Sequence, residues 1–459
     1  MLVSPLTIPR VDNEGSDELA RVERLMEQRG PAHIAPGLQR IEALLHLLGD
    51  PHRAYPSIHI GGTNGKTSTA RMAESLLRAT GLRTGRYTSP HLESVTERIS
   101  IDGAPISPRA FAELYDDVAP YAGLVDAEQP EQKVTYFELM TAMGFAAFAD
   151  APVDAAVIEV GLGGSWDCTN VIAAPVTALL PISLDHTEVL GDTVEEIAAD
   201  KAGIIHKGTL CVLAAQPLEA AEVILRRIAE TGSTVAREGL EFGVMSRAIA
   251  VGGQLVSLKG LHGEYDEVLL PLHGAHQASN AAVALATVEG LLGRSLDIDI
   301  VREGLGAASS PGRLEVLRRS PTLLVDAAHN PAGMAVTVAA VQDSFDFPRV
   351  IVVLGVLGDK DARGIVEALD VLADVVVVTR SVSPRAVEPD DLAAIAVDVL
   401  GPDRVEVSPN LLDAIDRAIE LADEEPGSGV LVTGSVTIVG QARRLLRADG
   451  HPGTAQLTS

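Results

Sequence analysis

The chain has 459 residues, 46% of them hydrophobic and 22% charged, which fits a soluble globular protein of two or three domains at about 150 residues each. Thirty-six Lys and Arg against 63 Asp and Glu give a formal charge of −27, which argues against non-specific nucleic-acid binding and against an anionic membrane surface. Two cysteines, Cys168 and Cys211, lack CxxC spacing, so neither a disulfide framework nor a zinc site is expected, and no apolar run approaches the roughly 20 residues that span a bilayer. With charges dotted through residues 1–27 in place of a signal peptide, a cytoplasmic protein is expected. Aromatics are 3%, and the apolar mass of Ala, Val, Leu and Ile suits parallel strands covered by helices.

Residues 1–17 read as a flexible polar segment. Helical spacing follows over 18–28 and 39–48, broken between by Gly30-Pro31 and Pro36-Gly37; His33 and His46 read as surface or packing residues. The next stretch, 58–69, dominates the sequence. A β-rich run enters a turn of Gly62, Thr63, Asn64 and Gly65, and Lys66, Thr67 and Ser68 open an amphipathic helix. Converging backbone N–H groups, a helix N-terminus, a cation and a hydroxyl are what hold a nucleotide triphosphate and its Mg²⁺. Ile60 stands where the full phosphate-loop pattern has Gly, so the loop is a shortened variant.

Residues 82–92 read as a strand opening onto a polar Ser89-Pro90-His91 loop. Thr135 and Glu138 have capping-box spacing at the head of an Ala-rich helix, and Glu138 reads equally as a cap or as a residue near the nucleotide. The strand 155–159 ends in Glu159, where a Mg²⁺ ligand belongs in a sheet that carries a phosphate loop, and Gly161 to Asn170 follow as a polar tail. A second run, 176–184, ends in Asp185-His186. Lys201 lies in the last turn of a helix over 193–202, where a cation offsets the dipole. The stretch 212–272 reads as mixed strand and helix, and His273 to Gln277 lead into a helix over 280–292. Gly304, Gly306 and Ser309-Ser-Pro-Gly312 read as a linker. Beyond it apolar strands alternate with helices, and Asp326 to Pro331 put polar residues at the end of the first. The expected fold is α/β: a P-loop ATPase-like domain with a mostly parallel sheet over 18–304, a linker over 305–313, and a smaller Rossmann-like open domain over 314–459, with the active site in the cleft between them.

In their order, Pro36-Gly-Leu, Gly62-Thr-Asn-Gly-Lys66, Ser89-Pro-His-Leu92, Glu159-Val-Gly-Leu-Gly-Gly164, Asp167 to Asn170, Asp185-His186, Lys201-Ala-Gly203, His276-Gln277, Pro311-Gly-Arg313, Asp326 to Pro331 and Gly434-Ser435 resemble folylpolyglutamate synthase, including its bifunctional dihydrofolate synthase form, in the Mur ligase superfamily. The resemblance implies that Lys66 and the loop hold the β- and γ-phosphates of ATP. Thr67, Ser89, Glu159 and His186 would surround Mg²⁺, and Lys201 would be the lysine that becomes carbamylated and joins them. Asn280 and Arg313 would contact ATP, with Arg313 stabilising the transferring phosphoryl group; Asp326 and His329 would lie near ribose or glutamate, with Ser435 also at glutamate. Ser89, Pro90, His91, Trp166 and Asp167 would face the pterin or folate. Two departures stand out. Thr67 replaces the family's common Gly, and Ser165-Trp166 replaces Arg-Leu, so that Trp166 either stacks on an aromatic ligand or packs at the domain face.

An amide bond requires an activated carboxylate, and no Ser-His-Asp or Cys-His arrangement appears. The expected reaction is therefore ATP-dependent addition of L-glutamate to a folate or to dihydropteroate through an acyl phosphate, with Mg²⁺, and a monovalent cation such as K⁺ as a further cofactor. A monomer is expected, without nucleic-acid or membrane partners. One rival is a Mur-type ligase acting on a UDP-muramyl peptide; only about 57 residues precede the loop, too few for a typical UDP-binding domain. The other is an ATP-binding regulatory protein that forms no bond.

Overall fold

The protein is described by a computed structural model that covers residues 13–30 and 36–448; the expected flexible segment up to residue 12, and His33, lie outside the described residues. Short β-branched and Ala-rich runs form the centre of an eight-stranded sheet. Its order is Ala104–Pro105, Ile99–Ile101, Thr84–Tyr87, Ala155–Glu159, Ser57–Gly61, Val176–Leu179, Leu210–Leu213 and Thr234–Arg237, with Ile99–Ile101 antiparallel to both its neighbours and every other pairing parallel. Alternation along the strands sends Ile58, Ile60 and Val157 to the layer of helices Lys66–Ala79 and Ala275–Leu292, and Ile158 to the layer of helices Gln39–Leu47, Pro108–Glu128 and Tyr136–Asp150 with Phe111, Phe145 and Phe148. Each such side chain, fully buried, contributes about 1.5–3 kcal/mol.

Helix Asn13–Glu27 begins before residue 18, inside the stretch read as flexible. Helix Pro108–Glu128 has no counterpart in the sequence reading because Pro120 and Gly123 interrupt its pattern; Ser107 caps it, its Oγ accepting the Ala110 N–H at 3.1 Å. The stretch 243–270 is a three-stranded antiparallel sheet, order Glu264–Leu270, Gly253–Lys259, Gly243–Ala250, with Val256, Leu258, Tyr265 and Val268 turned into the core. Gly304 and Gly306 are helical, within Ile298–Gly306, and are not linker. Gly304 marks a helix contact: a Cβ there would come within 2.9 Å of Leu76 Cα, and Ser75 Oγ donates to the Gly304 carbonyl at 2.7 Å.

Glu138 is a cap. Its carboxylate accepts the Thr135 N–H at 2.8 Å while Thr135 Oγ1 accepts the Glu138 N–H at 3.2 Å, and the buried Arg40 guanidinium donates to it at 2.9 and 3.1 Å. Glu138→Ala leaves Arg40 buried without its carboxylate, and a loss of about 3 kcal/mol or more is expected. A thermal melt that drops by several degrees while ADP affinity holds is the expected result; weakened ADP binding at an unchanged melt would put Glu138 at the nucleotide.

The other sheet has six strands in the order Glu315–Arg319, Thr322–Asp326, Gly429–Thr433, Val350–Leu354, Val375–Val378 and Val405–Val407, all parallel except the first. Helices lie on both faces, one burying Met334, Val338, Ile365 and Leu392, the other Leu411, Ile415, Ile438 and Val439. The two large sheets meet with their polar strand ends facing each other, through contacts such as Asn64 with Asn330 and Asp185 with Lys360.

Candidate active site

Strand Ser57–Gly61 is central, with Ala155–Glu159 and Val176–Leu179 in register on either side, so residues following all three collect at one edge. The loop leaving the central strand needs its glycines. Gly62 has φ +130° and a Cβ there would lie 2.6 Å from Leu180 Cβ; Gly65 has φ +90° and a Cβ would lie 2.6 Å from Asn280 Oδ1. Thr63 is tied down by its N–H to Pro181 O at 3.0 Å and by a reciprocal pair of bonds with Ser183, each 3.1 Å. Lys66 begins the 14-residue helix, whose first N–H groups are aimed back across the loop. Its ammonium donates to the carbonyls of Gly62 at 3.0 Å and Thr63 at 2.9 Å, and burial pushes its pKa down.

Thr67 Oγ1 donates to both Glu159 oxygens, at 2.8 and 3.1 Å, and the Ser89 N–H reaches the same carboxylate at 3.3 Å. Glu159 is 1% exposed, and burial raises its pKa despite the nearby Lys66. Ser68 is buried against Ser310, Oγ to Oγ 2.9 Å, and Gln277 ties to Ser68 and Asn280 at 3.4 and 3.2 Å, which links helix Ala275–Leu292 to the loop. Arg313 follows the turn at Ser310; its charge acts on Lys66, Glu159 and His329 alike.

Lys201 ends helix Val194–Lys201 and is 6% exposed. Burial, then the charge of Lys66, brings its pKa down to about 7. The loop after Glu159 lies directly on it: a Cβ at Gly164 would meet Lys201 Cα at 2.7 Å, and Ser165 N donates to Asp200 O at 3.0 Å. Asp167 organises that loop, accepting the N–H groups of Gly161, Leu162 and Thr169 at 3.1, 2.9 and 2.9 Å, so its carboxylate is committed within the turn. Trp166 is half-buried against the cluster of Val160, Leu179, Ile197 and Ile204. His91 Nδ1 accepts from Arg98 Nε at 3.0 Å; burial, helped by Arg98, holds its pKa to about 4, and Pro90 follows Ser89 through a cis bond.

His186 lies in a cluster that joins the two domains. Lys360 Nζ is 2.6 Å from Asp185 Oδ1 and 3.4 Å from His186 Nε2, and Asn330 donates to Asp185 Oδ2 at 2.9 Å. Burial alone would raise the Asp185 carboxyl, but Lys360 and the neighbouring histidines hold it well below the usual carboxylate range. His329 has Nδ1 2.9 Å from Ala327 O and Nε2 3.7 Å from Asp185; burial and Lys360 bring its pKa to about 4, and burial does the same for His186. Asp326 accepts the N–H groups of Leu314 and Ala328 at 2.8 and 2.9 Å and the Thr337 hydroxyl at 2.9 Å, which fixes the start of the second sheet's first connection. Ser435 is buried at the head of helix Val436–Ala448, its Oγ accepting the Ile438 N–H at 3.2 Å. Sequence reasoning missed Lys360 and Ser310. Lys360 follows strand Val350–Leu354, so the rule that strand ends carry ligands would have found it; Ser310 gave no signal beyond its turn.

Among the described residues no three His, Cys, Asp or Glu side chains gather as a metal cage. Thr67, Ser89 and Glu159 instead offer hard oxygen donors beside a phosphate loop, a set that fits Mg²⁺, which keeps waters and phosphate oxygens in its shell.

Residues 60–288 match the Mur ligase middle domain and residues 312–436 the Mur ligase glutamate ligase domain. The dihydrofolate synthase/folylpolyglutamate synthase of Mycobacterium tuberculosis is 48% identical over 96% of both chains, and that of Escherichia coli 30% identical over 91% of this chain and 93% of the other. A solved M. tuberculosis folylpolyglutamate synthase complexed with ADP superposes with a TM-score of 0.92 at 49% identity, covering 96% of this chain and all of the other. The E. coli FolC structure with DHPP and ADP gives 0.82 at 29% identity over 94% and 98%. On this likeness along nearly its whole length, the chain belongs to the dihydrofolate synthase/folylpolyglutamate synthase family of the Mur ligases.

Proposed function

We propose that this protein is an ATP-dependent ligase that adds L-glutamate to the carboxylate of folates and to dihydropteroate. The observation that carries the reading is one edge at which Lys66, Thr67, Ser89, Glu159 and Asp185 collect, faced across the cleft by His329, Asn330 and Lys360. We place the division between the two domains at residues 307–313, after helix Ile298–Gly306, so that Arg313 enters the cleft from the connection.

Lys66 and the loop N–H groups receive the β- and γ-phosphates of ATP, where the ammonium exchanges two carbonyl partners for phosphate oxygens. An oxygen of the acceptor carboxylate attacks the γ-phosphorus in line, the bond to the β-phosphate oxygen breaks, and ADP leaves; Lys66 and Arg313 spread the charge that develops. The amine nitrogen of glutamate then attacks the acyl carbon, the C–O bond to phosphate breaks, and the nitrogen loses a proton. His329 and Ser435 hold the glutamate, Asn280 the nucleotide, and Ser89, Pro90 and His91 the acceptor. Magnesium bound by Thr67, Ser89, Glu159, His186 and a carbamylated Lys201 would supply positive charge to the phosphate oxygens. The folate-side relatives outweigh the muramyl-peptide rival, and paired polar strand ends on two domains suit bond formation better than a switch.

The purified protein should release phosphate only when ATP, glutamate and a folate or pteroate are all present. Tetrahydrofolate and dihydropteroate, supplied separately with labelled glutamate and their products sized, separate the two activities. Turnover indifferent to the acceptor would sink the proposal.

A further inference from the structure

The loop that carries Ser89 does more than face the cleft. Directly beyond His91 it enters the second domain. Leu92 packs against the second domain's core cluster of Val325, Ile438 and Val439, between two glycines. A Cβ at Gly312 would lie 3.0 Å from Leu92 Cδ2, and one at Gly440 would overlap the Leu92 carbonyl oxygen. Glu93 is then held by helix Val436–Ala448: Arg443 Nε lies 2.5 Å from Glu93 Oε1, Arg447 reaches the same carboxylate at 3.2 Å, and Arg444 donates to the Glu93 carbonyl at 3.1 Å. Arg443 is 4% exposed, and its other face is bound to Glu315, which also accepts the Gly312 N–H at 2.7 Å. One buried guanidinium thus joins a carboxylate from each domain.

The knob is stiff. Glu97 accepts the N–H groups of Leu92, Glu93 and Ser94, each at 2.9 Å, so the segment moves as a unit. At its other end the Ser89 N–H binds Glu159, and the helix that grips Glu93 starts beside Ser435.

We infer that Leu92 and Glu93 form a knob through which the second domain sets the position of the Ser89–His91 segment, with Arg443 as the positioning residue. The inference rests on the proposed role of that segment at the acceptor. Seating the second domain's last helix brings the acceptor loop into register with Glu159; unseating it loosens the acceptor side and leaves the phosphate loop as it is.

Arg443→Met and the milder Glu93→Gln, whose carboxylate is at the rim, test this by hydrogen exchange and by kinetics. Amides of residues 88–98 should exchange about tenfold faster while those of 58–70 keep their protection. The KM for the folate acceptor should rise roughly tenfold, with the KM for ATP within about twofold of the wild type. If Arg443→Met does not fold, Glu93→Gln alone decides. Unchanged protection over 88–98, or equal rises in both KM values, overturns the inference. Failure of the ligase reading has a different signature: wild-type protein without folate-dependent turnover, with the exchange pattern still decided on its own.

Discussion

Replacing Lys66 by alanine is expected to lower kcat/KM by about three orders of magnitude, ~4 kcal/mol of transition-state stabilisation, with little change in the melting temperature. The two halves of that expectation come from the same geometry. Among the described residues the ammonium donates to the carbonyls of Gly62 and Thr63 and no carboxylate forms an ion pair with it, and burial already pushes its pKa down. Removing it breaks no direct ion pair among the described residues, carbonyl oxygens accept water readily, and the buried Glu159 answers the loss of a nearby cation by shifting further toward its neutral form, so the folded state loses little. The transferring phosphoryl group, by contrast, loses the fixed cation at the mouth of the helix. Phosphate release measured beside a thermal melt checks both halves, and ADP should raise the melting temperature of the variant less than that of the wild type. Activity within about tenfold of wild type would remove Lys66 from the phosphate site.

What the sequence disclosed and what it withheld divide by range. The phosphate loop was legible because its chemistry is local: a strand, glycines at positive φ, a lysine and a hydroxyl within a few residues. Glu159 was legible for the same reason, as the last residue of a buried strand. The capping box of Thr135 with Glu138 formed as its three-residue spacing implied. Glu138 was nevertheless ambiguous until Arg40, far away in sequence, supplied its partner. Lys360 meeting Asp185, Asn330 meeting Asn64 and Arg443 meeting Glu93 are pairs that no periodicity or spacing encodes, because tertiary packing creates them. Gly304 misled in the other direction: a residue that usually breaks a helix was there to let one helix approach the backbone of another.

Lys201 supports the second large effect. Only a neutral amine adds CO₂, and at pH 7.5 an ordinary lysine is neutral in roughly one molecule in a thousand. Held to about 7 by burial and by Lys66, Lys201 is neutral in most molecules at that pH, under a loop that packs on its backbone. Lys201→Ala is expected to lower kcat by about two orders of magnitude, with partial rescue by formate or acetate, whose carboxylate would stand in for the carbamate. Labelled bicarbonate should give the wild type a carbamate carbon resonance that the variant lacks. The pH dependence has a definite sign. Because the folded pKa lies below the unfolded one, the unfolded chain binds a proton the folded chain lacks between about 7 and about 10.4, so this group's contribution to stability rises with pH across that window and its penalty is complete below it. In CO₂-free buffer at pH 6 the alanine variant should therefore melt no lower than the wild type, and activity of the wild type should fall as acid and CO₂ removal both deplete the carbamate. A variant with neither rescue nor a missing resonance would make Lys201 a helix-end cation and nothing more.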